Sequence, residues 1–312
     1  MSSVPTAEYR RALKAPGIDL RNTLQQIGVY RVDPTHRSAP GAFAKAVLTP
    51  AGPGVMQLVW NSSGDVDAEA WGSGAEWLID RVDRWVGTND DLCGFDPAAH
   101  PKVERWWRDH SGLRLAALGV IWQELVLVLL GQRVTTEEAA RSWNRICRTW
   151  GEPAPGPADL MLPPTPDVIA GLTYRELHQA NVDRRRADAI LVAARRANRL
   201  EEAAAMNVDD AYQRLTALPG LGAWTATATL VSSHGHPDVI VLRDYGQPTT
   251  VNYAFTGDAE RLPPDEGGDE IMCAHLEPWR GHRQRIIRLL FAAKIQAPRR
   301  RPKAFNPDIR RL

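Results

Sequence analysis

The acidic residue Asp244 is the first candidate for chemistry in this sequence. It follows a mostly apolar stretch, residues 237–242, and it precedes Tyr245 and Gly246, where the chain is predicted to reverse. A carboxylate held at an open turn can stabilise a developing positive charge and orient an attacking water molecule. The same residue type also caps helices at chain reversals, so the position alone leaves both interpretations open.

A hairpin with two glycines lies upstream of this aspartate. The segment Leu218-Pro219-Gly220-Leu221-Gly222 separates two helical patterns, the second of which starts near Trp224. Backbone N–H groups converge at the start of a helix, where their partial positive charge suits a phosphate oxygen. Because glycine lacks a Cβ, a phosphate backbone could approach such a hairpin closely. Many helix–helix turns contain glycine for purely steric reasons, so the hairpin alone does not establish binding.

Residues 1–88 are predicted to form a small α+β domain. Residues 55–60 follow the two-residue repeat of a strand, in which successive side chains lie on opposite faces. Turn-forming residues flank this stretch, and the same repeat returns over residues 66–70. This pattern indicates an antiparallel meander with one buried face. Helical spacing over residues 71–85 then closes the domain.

From residue 89 to 297 the pattern is almost entirely helical. Residues 113–131 are apolar on most sides, which predicts a buried helix at the centre of the core. Thr135, followed by two glutamates, predicts the start of a helix that runs toward Trp150. The proline-rich residues 153–166 are predicted to form a surface connection.

Composition and cysteine spacing exclude several classes of protein. Of 312 residues, 44% are hydrophobic and 24% are charged, and the net charge is +1, as in ordinary globular chains. Cys93, Cys147 and Cys273 form no CxxC pair, which excludes zinc ribbons, thioredoxin-like sites and four-cysteine iron–sulfur clusters. No signal-peptide pattern and no apolar run of membrane-spanning length is visible, so we expect a cytoplasmic protein. Residues 298–312 form a basic tail that is either solvated or in contact with phosphates.

The hairpin and the aspartate together resemble a known superfamily. LPGLGAWTA at 218–226 and DVIVLRDY at 238–245 are similar to the motifs of the helix-hairpin-helix DNA glycosylases, most of all to the 3-methyladenine DNA glycosylase II family. The matching segments elsewhere are SGLR at 111–114, LLGQ at 129–132, RRA at 185–187 and PWR at 278–280. The resemblance covers most of the chain. It implies a mainly α fold with an N-terminal antiparallel α+β domain and two helical subdomains that flank a cleft.

The resemblance implies a reaction and a role for two residues. A base inside a duplex has to be swung out before it can be excised, and cleavage of its N-glycosidic bond gives the sugar oxocarbenium character. Asp244 would stabilise that cation and orient the attacking water. Where relatives that also cleave the DNA backbone carry a nucleophilic lysine, this sequence has Trp224, so hydrolysis of alkylated bases without lyase activity is implied.

The resemblance also implies a base pocket, a DNA-contacting hairpin and a wedge. The aromatic candidates for the pocket are Trp224, Tyr245, Trp279 and Trp122. The predicted DNA-binding hairpin consists of Leu218, Pro219, Gly220, Leu221, Gly222 and Thr225. Gln132 and Arg133 occupy the wedge position, which fills the gap left by the flipped nucleotide. Since the family commonly has an apolar or amide side chain at the second position, Arg133 could stack, pair with the opposite base or contact a phosphate. Ala228 and Gln123 depart from a tyrosine and an acid that are common in relatives.

Two other functions fit the same residues. A non-catalytic DNA-structure-binding protein would use the hairpin alone, and a glycosylase for uracil, hypoxanthine or a bulky adduct would share Asp244. We expect no cofactor, although the backbone carbonyls of residues 218–221 are candidate ligands for an alkali cation beside a phosphate. We expect no metal site among the histidines. The expected partner is double-stranded DNA with a damaged base, bound by a monomer.

Overall fold

A five-stranded antiparallel sheet forms the N-terminal part of the protein in the computed structural model. The structure describes residues 6–28, 30, 32–298 and 308–311. The strands are Tyr9–Lys14 (β1), His36–Ala39 (β2), Ala42–Thr49 (β3), Gly52–Trp60 (β4) and Asp65–Trp71 (β5). They pair in the order β1-β5-β4-β3-β2. The predicted meander is therefore confirmed in β4 and β5, whereas the other three strands carry less regular alternation and were not predicted individually.

Both faces of the sheet are covered. Met56 and Leu58 of β4 face the N-terminal core, while Val55 packs on the opposite side against Leu160 and Leu162. These two leucines belong to the proline-rich segment that was predicted to lie on the surface. The segment is instead tied to the sheet region, because the backbone N–H of Met161 donates to Pro34 O, just before β2, at 2.9 Å.

Helices are the main secondary structure in the rest of the described chain. They are Leu20–Leu24 (α1), Ala75–Ile79 (α2), Val82–Val86 (α3), Pro101–His110 (α4), Trp122–Leu130 (α5), Thr136–Trp150 (α6), Pro166–Ala170 (α7), Tyr174–Gln179 (α8), Arg184–Ala194 (α9), Ala197–Glu201 (α10), Val208–Thr216 (α11), Ala223–His234 (α12), Gln247–Thr256 (α13), Gly268–Leu276 (α14) and Arg283–Ala292 (α15). Short 3₁₀ turns span Pro97–Ala99, Glu202–Ala205, Pro264–Glu266, Glu277–Trp279 and Ile309–Arg311. The predicted fold class, mainly α with an N-terminal antiparallel domain, is confirmed.

The helices from α4 onward are organised around two separate cores. One core contains side chains of α5 to α12, with Trp143 and Leu125 among the most buried. The other contains α4 together with α13, α14 and α15. The chain thus enters the second core with α4, builds the first core, and returns to the second one after α12. This arrangement leaves the segment between α12 and α13 at the junction of the two cores.

The prediction of one long buried helix over residues 113–131 is wrong for its first half. Only Trp122–Leu130 is helical, and the preceding stretch runs as irregular buried backbone. Its N–H groups bond to other elements, with Leu118 N to Ser232 O and Gly119 N to Ser233 O both at 2.9 Å. Gly119 has a φ of +83°, which interrupts a helix. An all-round apolar pattern indicates burial, but it does not distinguish a helix from a buried extended segment.

Other local predictions fare better. Thr135 caps α6 in a reciprocal capping box with Glu138, as its sequence position predicts. The predicted boundary at residues 88 and 89 lies between α3 and α4 and stays a prediction. Of the basic tail, residues 299–307 and 312 lie outside the described residues, and Ile309 N donates to Asn181 Oδ1 at 3.0 Å. Within the described part of the chain, no helix is both long and apolar enough to span a bilayer.

Candidate active site

Asp244 holds the start of α13 and faces α12 at the same time. Its Oδ1 accepts the backbone N–H groups of Gly246 at 2.9 Å and Gln247 at 2.7 Å, the residues that begin α13. Its Oδ2 accepts the indole N–H of Trp224 at 3.0 Å. The two interpretations of this aspartate, helix cap and site carboxylate, are therefore compatible, since one oxygen serves each.

Trp224 connects the aspartate with the hairpin and the predicted wedge loop. It lies in the first turn of α12 and is half-buried. A Cβ added at Gly131 would lie 3.6 Å from Cη2 of Trp224, so the far edge of the indole packs beside the residue that ends α5. One ring thus spans from the Asp244 carboxylate to the loop that contains Gln132 and Arg133.

The hairpin between α11 and α12 is anchored inward and open at its end. Leu221 is buried in the first core, and Gly220 has a φ of +91°. A Cβ at Gly220 would approach Cβ of Ala189 on α9 to 3.1 Å, so only glycine fits without strain. Gly222, in contrast, is exposed, and a Cβ there would have nothing within 4 Å. No side chain caps α12 at Gly222, so the helix start is available to an anion.

The hairpin is braced from the wedge loop. Gln132 Nε2 donates to Thr225 Oγ1 at 2.8 Å and to Gly220 O at 3.3 Å. The side chain of Thr225 is buried and accepts the Gln132 amide, so a contact of Thr225 with DNA, which stays a prediction, falls to its backbone N–H in the first turn of α12. Gln132 is likewise occupied within the protein. Arg133, the next residue, is exposed and has a left-handed φ of +58°.

Two of the predicted pocket residues lie in the protein interior. Trp279 is 3% exposed, stacks on Phe255 with ring centroids 5.7 Å apart, and donates its indole N–H to Asp96 O at 2.8 Å. Trp122 is 5% exposed and donates to Pro164 O at 3.2 Å. Neither ring offers a free face for a base, so both predictions are corrected. Their apolar surroundings, rather than a ligand, account for these tryptophans.

Tyr245 and Ala228 remain beside the site. Tyr245 is 66% exposed, and the guanidinium carbon of Arg261 lies 4.1 Å from its ring centroid. Ala228 lies one turn after Trp224 on α12 and is partly exposed, which leaves space where a larger side chain would project. Gln123, the other departure from the family pattern, is fully buried and donates to Ala46 O of β3 at 3.3 Å. It links α5 to the sheet and does not face the site.

Two residues that bear on the site were not predicted as such. Arg186 is buried and donates through Nη1 to Leu130 O at 2.8 Å, which fixes the end of α5 just before the wedge loop. Asp269 of α14 accepts the backbone N–H of Arg243 at 2.9 Å, directly before Asp244. The RRA motif contained Arg186, but its inward orientation depends on packing. Asp269 gave only the signal of an acid in a first helical turn.

Among the described residues, no group of three or more histidines, cysteines and acids is arranged to hold a metal ion. His234 is engaged within the protein, with Ser233 Oγ 2.8 Å from its Nδ1 and Met206 O 3.3 Å from its Nε2. Burial lowers the pKa of His234, so the neutral ring is favoured.

Comparisons with known proteins agree with the fold and the sequence motifs. No protein-family model matches the chain. A Bacillus subtilis protein named as a DNA-3-methyladenine glycosylase is 23% identical over 205 residues, 64% of this chain and 68% of that protein. DNA-3-methyladenine glycosylase 2 of Escherichia coli is 29% identical over 160 residues, 48% of this chain and 56% of that protein.

Solved structures show the same architecture over nearly the whole chain. The 3-methyladenine DNA glycosylase of Archaeoglobus fulgidus superposes with a TM-score of 0.75 at 17% identity, covering 92% of this chain and 98% of that one. The Clostridium acetobutylicum 8-oxoguanine glycosylase/lyase in complex with double-stranded DNA gives 0.65 at 14% identity, with coverages of 92% and 98%. The chain therefore has the helix-hairpin-helix DNA glycosylase fold. The resemblance to the 3-methyladenine DNA glycosylase II family is confirmed.

Proposed function

We propose that this chain is a DNA glycosylase of base excision repair that hydrolyses the N-glycosidic bond of alkylated bases. The observation that carries the proposal is the hydrogen bond between Trp224 and Asp244 beside an open glycine hairpin. A carboxylate, an aromatic ring and a phosphate-binding helix start are the three parts that base excision requires. A protein that only grips DNA would need the hairpin alone.

The reaction follows from the positions of these groups. The N–H groups at the start of α12 and the exposed Gly222 bind the DNA backbone, and the damaged nucleotide is extruded toward the junction of the two helical cores. As the bond from C1′ to the base breaks, positive charge develops on the sugar, and the Asp244 carboxylate stabilises it. The same carboxylate orients a water molecule for attack on C1′. A cationic alkylated purine takes the bonding electrons and leaves as a neutral base, so a second acid is not needed. The attacking water gives its proton to the Asp244 carboxylate as its oxygen bonds to C1′.

Hydrolysis without strand cleavage is part of the proposal. A lyase needs an amine that attacks C1′ and forms a Schiff base, and position 224 carries an indole. The indole N–H is already committed to Asp244, and its aromatic faces suit a cationic, electron-poor base.

We also propose that Arg133 is the wedge of this enzyme. Gln132 cannot enter the duplex while it bonds to Thr225 and Gly220, whereas Arg133 is exposed at the tip of the loop. Its left-handed backbone is a conformation that residues with a side chain seldom adopt, and such strain concentrates at functional sites. Of the three roles open to it, filling the gap left by the extruded nucleotide suits this placement best.

The proposal is tested by base release from methylated genomic DNA and from duplexes that contain 7-methylguanine, hypoxanthine or uracil. We expect the wild-type chain to release alkylated bases and Asp244→Asn to release them roughly 10²–10⁴-fold more slowly, since that is the range for removing a charge-stabilising or proton-transferring group. Asparagine keeps one oxygen that can cap α13, so the fold should persist. Borohydride treatment of the reaction should trap no covalent complex.

Asp265→Asn, a charge-neutralising change at an exposed acid, is the matched control and should retain full activity. DNA binding by Asp244→Asn should stay within about threefold of wild type, because the hairpin is unchanged. Binding without any release by wild type would favour the DNA-structure-binding protein. Release of only uracil or hypoxanthine would support glycosylase activity but contradict the proposed alkylated substrate. A covalent adduct trapped by borohydride would contradict the role of Trp224.

Three further properties complete the proposal. The partner is double-stranded DNA with a damaged base, the enzyme acts in the cytoplasm as a monomer, and the chemistry needs no cofactor. The carbonyl oxygens of residues 218–221 stay candidate ligands for an alkali cation next to the bound phosphate. One of them, Gly220 O, already accepts Gln132 Nε2, which reduces the number that are free.

A further inference from the structure

The residue before Asp244 has an unusual backbone conformation. Arg243 has a φ of +60°, the left-handed region that residues with a Cβ seldom adopt. The direction in which Asp244 leaves the backbone depends on this conformation, because the peptide between the two residues rotates with it. A contact with another element is needed to hold Arg243 in this conformation.

The structure shows one such restraint on α14. Asp269, the second residue of that helix, accepts the backbone N–H of Arg243 through Oδ2 at 2.9 Å. Its other oxygen, Oδ1, is buried and has no hydrogen-bond partner among the described residues. The side chain is therefore committed to a single backbone group. Helix α14 in turn packs on α13, the helix that Asp244 caps, so the restraint comes from a rigid neighbour.

The electrostatics place other charged groups near Asp269. Burial raises the pKa of Asp269, and the charges of Glu270 and Asp244 also raise it, while the bond from Arg243 N–H and the positive charge of Arg243 lower it. Acids with a raised pKa of this kind cluster at functional sites. Within the described part of the chain, Asp269 accepts no hydrogen bond from a cationic side chain, and its bond is from the backbone N–H of Arg243.

We propose that Asp269 is a positioning residue for the reaction, which holds Arg243 in the left-handed conformation and so directs the Asp244 carboxylate toward C1′. The inference rests on the proposed function. It assigns Asp269 no contact with the substrate. Its effect should fall on the chemical step, because the hairpin that binds DNA lies on α11 and α12 and is unaffected.

The test compares four variants by single-turnover base release and by affinity for a duplex with a non-cleavable abasic analogue. Asp269→Ala removes the acceptor, and we expect release to slow by about tenfold or more while affinity changes less than about threefold. Asp269→Asn keeps an oxygen acceptor and should remain within about threefold of wild type. Adding Arg243→Gly to Asp269→Ala should restore part of the rate, since glycine adopts a positive φ without strain. Glu270→Ala, its exposed neighbour, should behave as wild type.

The rate of amide hydrogen exchange in the peptide that covers residues 240–247 measures how firmly the Arg243 N–H is held, independently of activity. We expect faster exchange in Asp269→Ala than in Asp269→Asn, because only the alanine frees the Arg243 N–H. Equal rates for Asp269→Ala and Glu270→Ala would overturn the proposal, as would equal losses for the alanine and asparagine variants. If wild type releases no base at all, the proposed function fails, and the exchange measurement still decides whether Asp269 restrains Arg243.

Discussion

At the scale of single residues, the central feature of the site is a carboxylate whose two oxygens both accept hydrogen bonds within the protein. Asp244 gives one oxygen to the start of α13 and the other to the indole of Trp224. Neither contact comes from a cationic side chain, so in the proposed reaction no protein cation competes for the carboxylate with the positive charge that develops in the substrate. An ammonium group at position 224 would pair with that charge and would itself be a nucleophile. The indole fixes the carboxylate without neutralising it.

Arg133 gives a testable prediction at this scale. If the side chain fills the gap left by the flipped nucleotide, its volume matters more than its charge. Arg133→Leu should then keep single-turnover release within about threefold, while Arg133→Ala should lose about tenfold, the difference that a lost packing contact of this size produces. Both variants place a non-glycine residue at the same left-handed position, so backbone strain is matched.

The salt dependence of binding identifies the competing role. A phosphate contact would make Arg133→Lys the active variant and Arg133→Leu the inactive one. In that case, loss of the contact in the two neutral variants would also reduce the slope of log affinity against log salt by roughly one. Unchanged slopes together with an active leucine variant support the wedge.

At the scale of elements, the two glycines of the hairpin are required for different reasons, although the sequence alone does not distinguish them. Gly220 needs its left-handed φ and its close approach to α9, so Gly220→Ala should lower the free energy of unfolding by about 1–2 kcal/mol. Gly222 has an ordinary φ of −81° and open space, so Gly222→Ala should change it by less than about 0.5 kcal/mol. In the proposed complex with DNA, only the second substitution places a methyl group in the path of a phosphate.

Denaturant unfolding and DNA affinity, measured on both variants, check this pair. We expect weaker DNA binding for Gly222→Ala at unchanged stability. The opposite assignment, with a destabilised Gly222→Ala and a stable Gly220→Ala, would show that the hairpin has a different geometry.

The same elements show what the sequence could and could not predict. Local signals gave the cap at Thr135, the strands β4 and β5 and the hairpin, because each depends on neighbouring residues. Whether a side chain points into a core or toward the site was harder to predict from the sequence. Trp279 and Trp224 are the same residue type and both lie in motifs that carry the family resemblance, yet one lies in a core and the other faces the candidate site. Contacts over long sequence distances, such as that from Asp269 to Arg243, leave no periodic pattern.

At the scale of the whole molecule, the candidate site lies where two cores meet, so its geometry depends on how firmly the parts are joined. Arg285 of α15 is fully buried and pairs with both oxygens of Asp90, at 2.6 and 2.7 Å. Asp90 also accepts the backbone N–H of Leu115 at 3.0 Å. One ion pair thus ties α15 to the segment that leads out of the N-terminal domain.

A second buried carboxylate joins the sheet domain to the first helical core. Asp33 accepts the indole N–H of Trp143 on α6 at 2.8 Å, and it also accepts the N–H and the hydroxyl of Thr35, both at 2.8 Å. Burial raises its pKa, but the hydrogen bond from His36, the charge of Lys45 and the other contacts outweigh burial and lower the pKa from 3.8 to about 2. The folded protein therefore favours the ionised form more than the unfolded chain does.

This shift makes the junction sensitive to acid. Because the folded pKa lies below the unfolded value, the stabilisation is fully present above pH 4 and is lost as the pH falls through about 2. A shift from 3.8 to about 2 corresponds to about 2 kcal/mol at pH 6, of which about half is lost by pH 3. The advantage of wild type over Asp33→Asn in free energy of unfolding should thus be about 1 kcal/mol larger at pH 6 than at pH 3. Thr35→Val, which removes only the hydroxyl bond, should reduce the same difference in part. Denaturant unfolding at the two pH values measures it, and an Asp33→Asn deficit that does not change with pH would show that this carboxylate does not link the two parts through its charge.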